Sequence, residues 1–476
     1  MSPQVLTPDI CVIGGGSGGL SVAAGAAAFG VSVVLIEKGR MGGDCLNYGC
    51  VPSKALIAAG KHAHAMRHGD KFGIANVEPD VNFKHVHDHV HGVIAAIAPN
   101  DSIERFTGLG VKVIEAEARF KDKDTLIAGD FEIRARRFVV ATGSSAFVPP
   151  IKGLADVPFL TNETIFDETK CPSHLVVIGG GPIGMELAQA HHRLGSKVTV
   201  IEAQKALSKD DPELTSIALK NLRAEGIVIL EDTPVIGLEK RGETGIRVIV
   251  ATTQGPKNID ASHILVAAGR LANVNGMGLE NAGVAFDRKG IKVTDKLRTS
   301  NRRIYAIGDV AGGLQFTHVA GYQAGIVLRS LLFRLPASHS AAHIPWATYT
   351  DPEIAHVGLT EADAKQKVGA VQVLRWPYRE NDRANAERKT EGLIKIIAGK
   401  KGRILGASIV GANAGELISV YALAISKKMK VSDIASFVAP YPTMTEIGKR
   451  AATSYYAPLA QNPVIRRAIA FLRRFG

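Results

Sequence analysis

The sequence predicts an α/β protein built from two dinucleotide-binding units and a smaller α+β unit that follows them. Three observations carry this reading. A short apolar run, Ile10-Cys11-Val12-Ile13, leads straight into Gly14-Gly15-Gly16-Ser17-Gly18-Gly19. The same arrangement recurs 165 positions later, around Gly179, Gly181 and Gly184. From about Ile344 the pattern changes, and strand-like runs (Leu393 to Ile397, Ile404 to Val410) alternate with helical ones such as Gly415 to Ser426.

Bulk properties agree. The 476 residues give room for about three domains of ~150 residues each. Hydrophobic residues make up 46% and charged residues 21%, as in a globular protein. The net charge of +12 suits anionic cofactors. No stacking or groove-reading motif accompanies it, so nucleic acid is not an expected partner. Four cysteines are too few for a disulfide scaffold. Cys11 lies in an apolar strand pattern and reads as core, and Cys171 reads as part of a linker. Met1 to Ile10 holds no basic stretch followed by an apolar one, so no signal peptide is expected and the expected location is cytoplasmic. Leu20 to Ile36 carries no charge, but Gly25, Gly30 and the change from Ala-rich to Val-rich pattern mark a buried βαβ unit rather than a membrane span.

In the first unit the strand is followed by a G-x-G-x-x-G turn (Gly14, Gly16, Gly19), an Ala-rich helix to about Phe29, and a second strand ending at Glu37. This is the Rossmann-like order. The glycines permit a tight turn and let a pyrophosphate approach the helix N-terminus, while the acid accepts hydrogen bonds from ribose hydroxyls. The second unit repeats it with Gly179, Gly181, Gly184 and the strand Val198 to Ile201, ending at Glu202. Ile13, Gly14, Gly30 and Glu37 map onto Ile178, Gly179, Gly195 and Glu202 at one offset. Two such sites suggest one held and one exchanging dinucleotide. A carboxylate at Glu202 binds a free 2′-hydroxyl and repels a 2′-phosphate. With Gly184, and with Ala203-Gln204-Lys205 following instead of arginine, it points to NADH over NADPH.

Between these units Lys61 to Arg119 reads as helical. It holds His85, His87, His89 and His91, two i, i+4 pairs that fit either a metal site or a solvated surface. Phe138 to Ser144 reads as a strand entering a turn at Thr142-Gly143-Ser144, and Val148-Pro149-Pro150 marks an exit from the first domain. Ile264 to Gly269-Arg270 and Ile304 to Gly308-Asp309 are two more strands ending in turns. The expected domains are residues 1–150, 151–271, 272–343 and 344–476, the third completing the first.

The stretch that brings chemistry is Gly42-Gly43-Asp44-Cys45-Leu46-Asn47-Tyr48-Gly49-Cys50-Val51-Pro52-Ser53-Lys54. Five residues on an ideal helix span roughly 7.5 Å along the axis, beyond the ~7 Å limit for a disulfide. A Cys45–Cys50 bond therefore needs a helix that starts late, which Gly49 and Pro52 allow. Cys50 then lies near a helix N-terminus, which favours its thiolate.

This stretch resembles the redox-active motif of the FAD-dependent pyridine nucleotide–disulfide oxidoreductases, and the resemblance extends over nearly the whole chain. It implies that the first dinucleotide domain binds FAD, the second binds NAD(P)H, and the α+β domain makes a homodimer whose active site is shared between subunits. It implies that Cys45 and Cys50 form a redox-active disulfide, with Cys50 facing the flavin and Cys45 as interchange thiol. Lys54 would approach the flavin with Glu186 as counter-charge. Gly42, Gly43, Thr142, Gly143, Ser144 and Asp309 would line the FAD, and Gly269 the nicotinamide domain.

Family members with disulfide substrates carry His-Pro-Thr and then a glutamate in the last domain. Here the segment is Tyr441-Pro442-Thr443-Met444-Thr445-Glu446. A phenol titrates near 10, about 3.5 units above imidazole, so Tyr441 donates a hydrogen bond but is a poor base. With Gly415-Glu416-Leu417-Ile418, this segment most resembles mercuric reductases, whose soft-metal substrate needs less proton transfer. The residues Arg466 to Gly476 hold no cysteine pair of the kind that delivers metal in those enzymes. The expected function is electron transfer from NAD(P)H through FAD and Cys45/Cys50 to a metal ion or small disulfide. Dihydrolipoyl dehydrogenase is the alternative, and a membrane-associated flavin-binding interaction protein a weaker one. Arginines alternate with apolar residues in Arg466 to Arg474, a pattern open to peripheral membrane contact, to packing on the dimer, or to a solvated helix.

Overall fold

The computed structural model describes residues 3–243 and 245–475. The chain groups into two units, Met1–Ala206 with Ile227–Ser340, and Leu207–Gly226 with Ala341–Gly476.

The first unit holds two parallel sheets. One is five-stranded, in the order Ile304–Ala306, Arg137–Val140, Ile10–Ile13, Val33–Glu37, Val111–Glu115. The other is four-stranded, in the order Val228–Leu230, Lys197–Ile201, His174–Ile178, His263–Val266. Their central strands are almost wholly buried, as strands covered on both faces must be, which explains the unbroken apolar runs. The repeat holds residue by residue: Ile13 pairs with Ile36, and Ile178 with Ile201. Helices Ser17–Ala27 and Pro182–Arg193 follow the two glycine turns.

The helical reading of Lys61 to Arg119 needs correction in its middle, where residues 73–82 form no helix, and at its end. Helices cover Cys50–Arg67, Phe83–Ile97 and Ile103–Gly108, but Val111–Glu115 and Ala118–Phe120 are strands. The run Val111-Lys112-Val113-Ile114, with β-branched residues at three positions, pairs in parallel with Val33–Glu37, and that pairing decides its conformation.

The second unit is built on an antiparallel sheet, ordered Pro345–Thr348, Glu353–Gly358, Ile404–Gly411, Leu393–Ala398, Gln372–Pro377. Helix Ala414–Ser426 covers one face through Ile418 and Tyr421. Lys395 is only 5% exposed, and its ammonium meets Asp211 at 2.7 Å, Glu361 at 2.8 Å and Glu213 at 3.0 Å. A buried ammonium needs such partners. They help explain why helix Pro212–Ala224, inside the 151–271 segment drawn from sequence, groups with this unit. We keep the limits 150, 271 and 343 as a proposal for where the domains divide.

Candidate active site

The first glycine turn is a cradle that side chains would fill. A Cβ on Gly14, whose φ is +107°, would stand 2.4 Å from the carbonyl oxygen of Ala141. One on Gly19 would stand 1.9 Å from the carbonyl oxygen of Gly14. Gly16 caps helix Ser17–Ala27 and has only Gly43 near its missing side chain, at 3.9 Å. Gly42 bridges to Gly16, so the loop before the cysteines forms the second wall. The Glu37 carboxylate accepts from Gly15 N at 2.5 Å and Gly39 N at 2.7 Å. Asp309 accepts from the Ser144 hydroxyl at 2.5 Å, and burial pushes its carboxyl above the usual carboxylate range. Thr142 donates to the Asn273 carbonyl at 3.0 Å, and Gly143 turns the backbone at φ +68°. Open glycine backbone at a helix N-terminus, with an acid at the end of the next strand, fits the pyrophosphate and ribose of FAD.

The second turn copies the first. Cβ atoms on Gly179 and Gly184 would stand 2.4 Å from Ala267 O and 2.1 Å from Gly179 O, while Gly181 has open space. The Glu202 carboxylate accepts from Gly180 N at 2.7 Å and Gln204 N at 2.9 Å, the same contacts as at Glu37 with every residue shifted by 165. Lys205 pairs with Asp232. Gly269 follows strand His263–Val266 at φ +120°. These residues fit a nicotinamide dinucleotide.

At the cysteines, a short helix Gly43–Asn47 carries Cys45 and breaks at Tyr48 and Gly49, and a new helix starts at Cys50. This break brings the sulfurs together. Both are thiols in this structure, the reduced side of the couple, and Cys45 donates a hydrogen bond to Cys50. That bond is the main cause lowering the Cys50 pKa to about 6; the Thr317 hydroxyl and the Lys54 charge lower it further. The Cys45 thiol is pushed well up by the same bond and by burial. Thr317 Oγ1 is 3.4 Å from Cys50 Sγ, at the first residue of helix Thr317–Phe333. Cys45 is half-buried and Cys50 is exposed in this chain. Lys54, one turn on, donates to Glu186 Oε2 at 2.9 Å, and Glu186 is buried on helix Pro182–Arg193.

Sequence reasoning passed over the polar lattice that holds this loop. Arg270 Nη2 meets Asp44 Oδ1 at 3.1 Å, beside Cys45, and its Nε donates to the Ser144 hydroxyl at 2.7 Å. Asn162 donates to Asp44 at 3.0 Å and to the Tyr48 carbonyl at 3.1 Å. Asp44 stood inside the motif, but Thr317 and Asn162 have no local signal.

In the second unit Tyr441 is 72% exposed. Its hydroxyl donates to Asp382 Oδ2 at 3.1 Å, which raises the phenol pKa above its usual value. Glu446 starts helix Glu446–Ser454 and adds to that rise through its charge. The tyrosine's hydrogen-bond partner is therefore Asp382, not Glu446. In the histidine helix, the His87 and His91 rings lie 4.2 Å apart, and His91 Nε2 donates to the Phe166 carbonyl at 3.1 Å. Among the described residues no group of three or more His, Cys, Asp or Glu is placed to hold a metal ion.

Residues 8–324 match the family described as pyridine nucleotide-disulphide oxidoreductase, and residues 344–452 match its dimerisation domain. The chain belongs to this family. It is 34% identical to a mercuric reductase of Streptomyces lividans, over 95% of this chain and 97% of that one. It is also 34% identical to a dihydrolipoyl dehydrogenase of Geobacillus stearothermophilus, over 93% and 95% respectively. Among solved structures it is similar to the Cu(II) complex of the HOCl-induced flavoprotein disulfide reductase RclA from Escherichia coli, with TM-score 0.83 and 27% identity, covering 93% of this chain and 98% of that one. As a pyridine nucleotide–disulfide oxidoreductase the protein is an FAD-dependent oxidoreductase using NAD(P)H, and its dimerisation domain supports a homodimer. No helix among the described residues is long and apolar enough to cross a membrane.

Proposed function

We propose that this oxidoreductase passes electrons from NADH through FAD and the Cys45/Cys50 couple to a soft metal ion held by thiolates, with a small disulfide as the second substrate class. The observation that carries the choice is Tyr441 bound to Asp382 where disulfide-reducing relatives have histidine. A phenol whose pKa is raised above 10 cannot take a proton at neutral pH. Reducing a disulfide to two thiols consumes two protons, whereas reducing a metal bound by thiolates needs none at that step. Soft metals also favour thiolate ligands.

Bound FAD supplies a two-electron relay between nicotinamide and sulfur. The protein does the rest. Cys50 is held as thiolate by its bonds from Cys45 and Thr317 and by the Lys54 charge. Lys54, anchored by Glu186, presents a fixed cation where negative charge grows on reduction. Cys45 acts as the interchange sulfur that meets the acceptor. Glu202, with both oxygens already accepting backbone N–H groups, offers the ribose a fixed carboxylate and favours NADH. Tyr441 would act as hydrogen-bond donor at a site shared between subunits, and we place the enzyme in the cytoplasm, where thiols stay reduced. The dihydrolipoyl dehydrogenase reading keeps support from a relative of equal identity.

The test is Cys45→Ser. The variant should keep its flavin and lose turnover with metal and disulfide acceptors alike. Full retained turnover would overturn the mechanism.

A further inference from the structure

The segment after the dimerisation match has a surface that the redox chemistry does not use. Helix Pro463–Leu472 is capped by Asn462, which accepts from Val464 N at 2.9 Å, and the turn runs on as Phe475 N donates to the Leu472 carbonyl. None of its residues is buried, and Val464 and Leu472 are 71% and 63% exposed. Val464, Ala468, Phe471, Leu472 and Phe475 follow i, i+4, i+7, i+8, i+11 spacing and share one face. Arg466 and Arg473, and Arg467 and Arg474, are i, i+7 pairs on the other. From residue 447 to 476 there is no aspartate or glutamate, and six arginines or lysines.

We propose that this helix lies on an anionic lipid surface, apolar face in the acyl boundary and arginines among the headgroups. Ten residues rise about 15 Å, half a bilayer core, so the helix can rest on a membrane but not cross it. So short a helix is marginal in water, and burial of its apolar face stabilises it. Charge selects the occupant. A second copy of this chain carries +12 and is a poor complement to four arginines, whereas phosphatidylglycerol headgroups match them.

The experiment is co-sedimentation of the purified flavoprotein with vesicles of phosphatidylcholine alone or mixed equally with phosphatidylglycerol. Binding to the anionic vesicles should exceed binding to neutral ones at least tenfold, since each interfacial arginine adds roughly fivefold, and it should weaken with salt. Glutamate at Arg466, Arg467, Arg473 and Arg474 together should abolish it. Phe471→Ser with Leu472→Ser should weaken it, with NADH oxidation and dimer size unchanged in both variants. Absent binding, or equal binding to both vesicles, overturns the proposal. So does a variant that falls from dimer to monomer, because a second copy then covers the helix.

Discussion

The hydroxyl of Thr317 stands 3.4 Å from the sulfur of Cys50, joining residues 267 positions apart. The contact puts the first residues of two helices, Thr317–Phe333 and Cys50–Arg67, against one thiol. Both helix N-termini favour negative charge there.

Removing that hydroxyl should therefore show in titration. In the reduced protein the fast, pH-dependent alkylation by iodoacetamide should have its midpoint near the lowered value of about 6 given by the Cys45 bond, Thr317 and Lys54. The rate rises with pH, because only the thiolate reacts. Thr317→Val should move the midpoint up by about one unit, the worth of one hydrogen bond to a charged group, and Thr317→Ser should restore it. An unchanged midpoint in Thr317→Val would mean that the hydroxyl is only a packing group.

The Lys54–Glu186 pair predicts a loss of rate without loss of cofactor. Glu186→Gln keeps the shape and removes the counter-charge, so NADH-dependent ferricyanide reduction should fall about tenfold while flavin content and folding stay intact. Lys54 is partly exposed, so solvent screening limits the effect on stability.

Much of this site could be read from the sequence, and the reasons differ from residue to residue. Gly14, Gly19, Gly179 and Gly184 announce themselves because any side chain there would strike backbone within 2.4 Å. Glu37 and Glu202 are legible because the first ends, and the second directly follows, the strand after its glycine turn. Lys54 and Glu186 came from resemblance, and the structure brings them together. Thr317, Asn162 and Asp382 were not legible, since each meets its partner only through tertiary folding. The strand Val111–Glu115 is not legible either, because it takes its conformation from pairing with Val33–Glu37 rather than from local pattern.

The proposed preference for NADH rests on Glu202, whose two oxygens accept from Gly180 N and Gln204 N. Glu202→Ala should lower the ratio of kcat/KM for NADH over NADPH at least tenfold. A ratio below one in the unaltered protein would contradict the assignment.

The buried ammonium of Lys395 makes a prediction for the second unit. Lys395→Met leaves the buried Asp211 carboxylate without its ammonium partner, while Glu213 and Glu361 keep Arg375, and should cost about 3–5 kcal/mol at neutral pH. The Glu361 carboxyl is held at about 2, mainly by Lys365 and then by Lys395. A depressed pKa stabilises the fold above the unfolded value, and that contribution is lost as pH falls towards 2. The stability gap between variant and parent should therefore shrink in acid, as thermal melting at about pH 7 and about pH 3 would reveal.

Tyr441 tests whether proton transfer limits disulfide exchange. Tyr441→His should raise lipoamide turnover, and Tyr441→Phe should change metal-dependent NADH oxidation less than about threefold. A lower or unchanged lipoamide rate in Tyr441→His would remove the phenol as the reason for acceptor choice.

The most direct measurement compares acceptors on the purified, flavin-loaded protein: NADH oxidation with thiol-complexed Hg(II) or Cu(II), beside NAD reduction by dihydrolipoamide. Metal-dependent oxidation with negligible lipoamide turnover is the predicted result. Fast lipoamide turnover with little metal-dependent oxidation would contradict it and leave dihydrolipoyl dehydrogenase as the function.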